Sequence, residues 1–342
     1  MRRGIPRDDI ERARDRLRGV VVRTPTLRCA DAPAGKQVHL KLENLQPAGS
    51  FKLRPIANAM LSRPRDALRA GVHTFSSGNS SIAMAWMAKR MGIAATAVVP
   101  EGAAESKLQL LRALDARIVT QPFAEWWSAV TSGRCSEFAS VYIDAVRDPA
   151  AFAGNGTIAA EILEEVPDVD AIFVPFGGGG LACGIANALR LSGSSVKVIA
   201  CELDTAHPLQ SAREAGSPVE SPCDPGFVTG VGFGCVLAQM WPLANRLIDD
   251  VLTVSLSEVA NAIKLLADAN KVVAEGAGAI PVAAALANRH RFKNVCAVVS
   301  GGNLDVALFA KILRGDERSE SRAVRERCEK RLGDFSPSKT SR

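Results

Sequence analysis

The sequence predicts an α/β protein built on mostly parallel sheets, and three observations lead there. Short strand-like runs alternate with helix-length segments through most of the chain, an order that requires crossover helices and therefore parallel strands. Three of the runs, AIFVPF (171–176), VKVIACE (196–202) and VCAVVS (295–300), are continuously apolar, as strands buried on both faces are. The length, 342 residues, suits either one large core or two domains sharing a cleft.

The elements follow in order. Asp8 with Glu11 three residues on reads as the start of a first helix, DDIERARDRLRGVV (8–21). VHLKLE (38–43) is a strand, and PIANAMLSRPRDALRAG (55–71) reads as one helix. HTFSS (73–77) and TAVVP (96–100) are strands, each followed by a helix, SIAMAWMAKRMG (81–92) and SKLQLLRALDA (106–116). RIVTQ (117–121) and SVYIDA (140–145) are strands, and GTIAAEILEEV (156–166) is a helix. Beyond Gly315 periodicity fades and charge rises, so 317–342 reads as a mobile basic tail.

Composition excludes several classes. Much of the net charge of +6 sits at the two ends, MRRGIPRDDIERARDRLR and RSESRAVRERCEKR, as a solvated helix and a loose tail. Aromatic residues make up only 5%, with Tyr142 the single tyrosine, which leaves no stacking platform for nucleic acid. The eight cysteines form no CxxC pair, and the four histidines form no HExxH, so no motif-borne metal site is expected. Free thiols fit a reducing compartment, and no apolar stretch is long enough to span a membrane. A soluble cytoplasmic protein is expected.

Lys52 carries the chemistry. It lies in KLENLQPAGSFKLRP (41–55), after a strand and at the opening of a helix. Gly49 permits a tight turn, free amides at a helix start suit a phosphate, and a lysine held there can lose its charge and act as a nucleophilic amine. Three further segments follow: FSSGNSSIAMAWMAKRMG (75–92), AIFVPFGGGGLACGIANALR (171–190) and VCAVVSGGNLD (295–305). The backbone amides of Gly177, Gly178, Gly179 and Gly180 can converge on a dianionic phosphate with no Cβ in the way. On its own the glycine run also suits a dinucleotide, with Glu202 at the end of the next strand as the ribose partner.

In this order the four segments resemble the fold-type II pyridoxal-phosphate (PLP) enzymes, in the serine/threonine dehydratase and serine racemase group. The resemblance spans roughly residues 5–315. It implies the fold of the tryptophan synthase β type: two domains, each with a mostly parallel sheet flanked by helices. A large PLP-binding domain would comprise 1–55 and 149–316, with a small inserted domain at 56–148. The chain ends soon after SGGNLD, so no regulatory domain is expected. The family assembles as homodimers, which is the expectation here.

The resemblance also implies roles. Lys52 would carry the cofactor in Schiff-base linkage and act as the base for the substrate α-proton, with Phe51 beside it. Gly177–Gly180 would hold the phosphate, Asn79 the 3-hydroxyl, and Ser300 would face the pyridine nitrogen with a hydroxyl, leaving the ring neutral and favouring β-elimination. Glu275 would border the cofactor, although a helix-start carboxylate explains it equally well. The turn Ser76–Ser81, with Ser76, Ser77, Asn79 and Ser80, would receive the substrate carboxylate. Ser77 stands where racemases place a hydroxyl on the ring face opposite the lysine, which permits racemisation without requiring it.

The expected activity is β-elimination of a β-hydroxy-α-amino acid such as serine, threonine or a larger analogue, giving a 2-keto acid and ammonia. The alternatives are a serine-type racemase, a β-replacement enzyme, or a PLP-binding protein without turnover.

This chain departs from the family pattern in several places. Ala48 replaces a common threonine, Ser80 a common histidine, and Pro55 the glycine that usually follows the arginine. Val146 and Arg147 stand where relatives carry phenylalanine and an acid, which would make the substrate pocket wider or more cationic. Glu202 and Ala206 of a cation-binding loop survive, while Pro208 replaces an aspartate. That disfavours Mg²⁺ and leaves a monovalent ion such as K⁺ as the expectation.

Overall fold

The computed structural model describes residues 4–133, 138–231, 233–287 and 289–316. The tail expected at 317–342 lies outside these residues.

Helix α1 (Arg7–Leu17) starts one residue ahead of the expected cap: Pro6 occupies the N-cap, and Asp8 and Asp9 complement the helix dipole from the first turn. Strands β1 (Thr26–Arg28) and β2 (Gln37–Lys41) lead to a single 3₁₀ turn, Glu43–Leu45, and then to α2 (Leu53–Leu61). The segment read as one helix over 55–71 is two elements, because Pro64 cannot continue α2 and only a 3₁₀ turn, Arg65–Leu68, follows it. Next come β3 (Val72–Phe75), α3 (Asn79–Met91), β4 (Ala95–Pro100), α4 (Glu105–Ala113), β5 (Arg117–Gln121), α5 (Phe123–Ser132) and the two-residue β6 (Val141–Tyr142).

Helix α6 (Pro149–Glu165) begins well before Gly156, since the Asp148 carboxylate caps the Ala150 amide at 2.8 Å and Pro149 suits the first turn. The remaining elements are β7 (Ala171–Pro175), α7 (Gly180–Leu191), β8 (Lys197–Leu203), α8 (Pro208–Ala215), α9 (Trp241–Leu247), β9 (Asp250–Val254), α10 (Leu256–Asp268), α11 (Gly276–Leu286), β10 (Asn294–Val298) and α12 (Val306–Arg314).

The strands form two sheets. Six pair in the order β1-β2-β10-β7-β8-β9, all parallel except the antiparallel edge pair β1–β2. Four pair in the order β5-β4-β3-β6, all parallel. Phe152, Ile158, Phe176 and Leu189 lie in a cluster on one face of the larger sheet, with α1, α6, α7 and α9. Ile263, Leu266 and Ile280 of α10 and α11 fill the other face, and Met60, Met84 and Leu111 form a third core around the smaller sheet. In such sheets ligands gather where strands end and helices begin. Here the ends of β2, β7 and β10 deliver the Lys52 segment, the glycine run and Ser300. Among the described residues no helix is long and apolar enough to cross a membrane.

Beneath that edge lies a buried ionic network. The Glu43 carboxylate accepts from Arg54 Nε and Nη2, both at 2.8 Å, and from Thr24 Oγ1 at 2.7 Å. Arg54 also donates to Glu161 at 2.7 and 2.8 Å. Lys41 pairs with Glu161 at 2.9 Å and with Glu165 at 3.2 Å. The network ties α2, the Glu43 turn, β2 and α6 together directly behind Lys52.

Candidate active site

Lys52 sits at the N-cap of α2, half-buried, with its ammonium 5.0 Å from the centre of the Phe51 ring. The turn before it needs glycine. Gly49 adopts φ +72, and a Cβ there would lie 2.2 Å from Asn303 Oδ1. Backbone bonds lock this turn to the β10 end: Phe51 N donates to Ser300 O, and Gly302 N donates to Gly49 O, each at 2.9 Å. Burial pushes the Lys52 amine down to about 8, opposed by the negative charges of Asp144 and Glu275. An amine lowered in this way reacts as a nucleophile near neutrality. Uptake of PLP by the cofactor-free chain is therefore expected to accelerate as pH rises through about 8 and to level off above it, as measured by stopped-flow absorbance.

Asn79 opens α3 and is pinned from two sides. It donates to Glu275 Oε1 at 2.5 Å and accepts from Asn303 Nδ2 at 2.8 Å, while Asn303 also donates to Ala48 O at 2.9 Å. Glu275 holds the N-cap position of α11 but makes no capping bond with its side chain, which turns to Asn79 instead. Burial lifts Glu275 above the ordinary carboxylate range, opposed by the Lys107 charge, the Asn79 amide and Lys52. Its second oxygen is buried without a partner, as is Ser50 Oγ. Ser300 is buried at the end of β10. Ser76, Ser77 and Ser80 lie half-buried with Asn79 in the turn that opens α3.

The glycine run joins β7 to α7, with Gly179 at the N-cap. A Cβ on Gly177 would fall 2.4 Å from Gly230 O, so only glycine allows this approach. Val146 lies against the loop, its Cγ2 only 3.1 Å from where a Gly178 Cβ would sit. It therefore borders the glycine cradle, which the sequence alone did not indicate. The cationic pocket expected from Arg147 does not form. Arg147 donates to Asp144 at 2.5 Å and to the carbonyls of Thr131 and Val130 at 2.9 and 2.8 Å, ending α5. Both Glu202 oxygens accept amides of α8, from Leu209 at 2.9 Å and Gln210 at 3.0 Å, and burial raises this carboxyl to about 7. Ala206 closes the intervening turn, its amide on Leu203 O at 3.1 Å. Among the described residues no group of three or more His, Cys, Asp or Glu side chains is placed to hold a metal.

These residues fit PLP. A lowered amine stands at one point and a cradle free of Cβ atoms at another. Two buried polar atoms, Ser50 Oγ two residues before Lys52 and Glu275 Oε2 beside Asn79, lack partners. Asn303, Asp144 and Lys107 also belong to the site, yet sequence reasoning gave them no role. Asn303 could have been found, since it completes the SGGN motif that drew attention to Ser300.

A family model described as pyridoxal-phosphate dependent enzyme matches residues 17–301, and the chain belongs to that family. Among relatives, the L-threonine ammonia-lyase of Geobacter sulfurreducens is 35% identical over 316 residues, covering 90% of this chain and 78% of its own length. The serine racemase of Arabidopsis thaliana is 34% identical over 314 residues, covering 87% and 92%. The structure of maize serine racemase superposes with a TM-score of 0.83 at 31% identity, covering 92% of this chain and 99% of that one. The two-sheet α/β architecture is the fold-type II arrangement of these neighbours.

Replacing Gly177 with alanine is expected to weaken PLP binding at least about tenfold, because the new methyl must push the Gly230 segment aside. Equilibrium dialysis of the cofactor measures it.

Proposed function

We propose that this chain is a PLP-dependent ammonia-lyase that converts a β-hydroxy-α-amino acid to a 2-keto acid and ammonia. The observation that carries this reading is the Lys52 turn, bonded through Phe51 and Gly49 to the Ser300–Gly302 end of β10, with Asn79 fixed between Glu275 and Asn303. The threonine ammonia-lyase relatives support the same reading.

Lys52, Asn79, Ser300 and the amides of Gly177–Gly180 would hold the cofactor. Bound PLP supplies an electron sink for the charge left on the α-carbon once its proton departs. Lys52 takes the α-proton at Nζ, and its depressed pKa leaves more of the amine neutral near neutrality than an ordinary lysine would have. The Ser76–Ser81 turn orients the substrate carboxylate. Asn79, itself fixed by Glu275 and Asn303, would meet the cofactor with its side chain already oriented. We place the substrate cleft between a large domain, 1–55 with 149–316, and a small one, 56–148.

Racemisation is the second reading, favoured by Ser77 and by the serine racemase relatives. Chiral chromatography of recovered substrate separates the two activities. The wider test is a keto-acid assay over β-hydroxy amino acids of increasing size. Release from at least one member supports the ammonia-lyase, and inertness of all of them, with cofactor bound, removes it. The Glu202–Ala206 turn is the place for a monovalent cation. With both Glu202 oxygens taken, backbone carbonyls would hold it, and higher activity in KCl than in NaCl is the expected sign. A cytoplasmic homodimer is the assembly we expect, and light scattering checks the dimer.

A further inference from the structure

We propose that Lys107 is a substrate-binding residue, its ammonium leaving Thr229 Oγ1 to pair with the carboxylate of the α-amino acid held in the Ser76–Ser81 turn. The inference rests on the reading of this cleft as an amino-acid site.

Lys107 belongs to α4, in the lobe of the smaller sheet, and reaches across to the other lobe. Its Nζ donates to Thr229 Oγ1 at 2.9 Å and lies 3.7 Å from where a Cβ on Gly78 would stand, in the centre of the turn. The neighbour of Thr229, Val228, is packed against Gly276, with its Cγ2 at 2.7 Å from that glycine's Cβ position. Lys107 is thus held at the mouth of the site, above Glu275, whose carboxyl its charge also lowers.

The charge balance calls for a cation at this place. The Ser76–Ser81 turn offers hydroxyls and amides, all neutral donors, and the buried Glu275 carboxylate would repel an incoming carboxylate. The other cations around the site are already engaged: Arg54 with Glu43 and Glu161, and Arg147 with Asp144 and the end of α5. Lys52 is the cofactor's amine. Lys107 alone among these rests on a neutral hydroxyl, a weak partner for an ammonium. Exchanging it for a carboxylate adds the attraction of an opposite charge to the hydrogen bond the ammonium already makes.

The test uses the holoenzyme and glycine, an α-amino acid without a β-leaving group, whose binding is read from the change in cofactor absorbance. Lys107→Gln should raise the glycine dissociation constant and the KM for L-serine at least about tenfold, with kcat within about twofold, and Lys107→Arg should restore most of the affinity. Thr229→Val, which removes only the resting partner, should leave glycine binding equal or tighter. Unchanged glycine affinity in Lys107→Gln would overturn the proposal. So would equal weakening by Thr229→Val, which would mark the pair as a structural clasp. Lys107-dependent glycine binding in an enzyme that releases no keto acid would uphold this inference while sinking the ammonia-lyase reading. Keto-acid release with glycine affinity indifferent to Lys107 would do the opposite.

Discussion

Lys52→Ala is expected to give a folded chain that shows no near-visible absorbance from covalently held PLP and loses at least about four orders of magnitude in keto-acid release. The size follows from a double loss. The amine that would anchor the cofactor is also the group that would take the α-proton, and no second lysine lies in the turn Gly49–Leu53. Methyl in place of ammonium removes a half-buried charge that burial penalises, so stability should hold or improve slightly. Absorbance, turnover and urea midpoint together check the variant. A normal absorbance band with intact stability would mean that another amine holds the cofactor.

Glu43→Ala is expected to have the largest effect on stability, about 3 kcal/mol, read as a lower urea midpoint at unchanged slope. Glu43 and Arg54 are both fully buried, and three of the Glu43 bonds lie at 2.7–2.8 Å. Burial alone would raise the Glu43 carboxyl, but the Arg54 guanidinium, Thr24 and Lys41 more than offset it and hold the group below its ordinary value of 4.5. Removal leaves the Arg54 charge buried with Glu161 as its remaining acid partner. The sign of the pH dependence follows from the depressed carboxyl. Its contribution is complete above the unfolded value and is lost as pH falls through the lower folded one. The wild type should therefore weaken in acid below about pH 4.5 more than Glu43→Ala does. Because the network lies behind Lys52, this variant should also bind cofactor less firmly.

The elements legible in the sequence were those whose signal is local. AIFVPF, VKVIACE and VCAVVS read as buried strands because each carries an unbroken apolar stretch, and they became β7, β8 and β10. Strand β9 went unread because it is an edge strand, half-exposed along most of its length. Helix α5 buries none of its side chains fully, so it carries no sharp apolar face, and its tryptophans gave no periodic cue.

The same contrast governs the site. Lys52, Asn79, the glycine run and Ser300 each sit inside a compact motif that announces itself. Lys107, Thr229 and Asp144 matter through contacts between segments far apart in the chain, and no spacing rule reaches from α4 to the Val228 loop. Glu275 shows the limit from the other side. Its N-cap position suggested a plain capping role, and only the fold shows the carboxylate turned to Asn79. Arg147 was legible as a departure from the family, but its destination on the α5 carbonyls was not.

The most direct test is to incubate the chain with PLP, reduce it with borohydride and map the modified peptide by mass spectrometry. The account predicts one phosphopyridoxyl group, on Lys52, in the peptide that contains Gly49-Ser50-Phe51-Lys52. A stoichiometric label on any other lysine, with Lys52 unmodified, would contradict it.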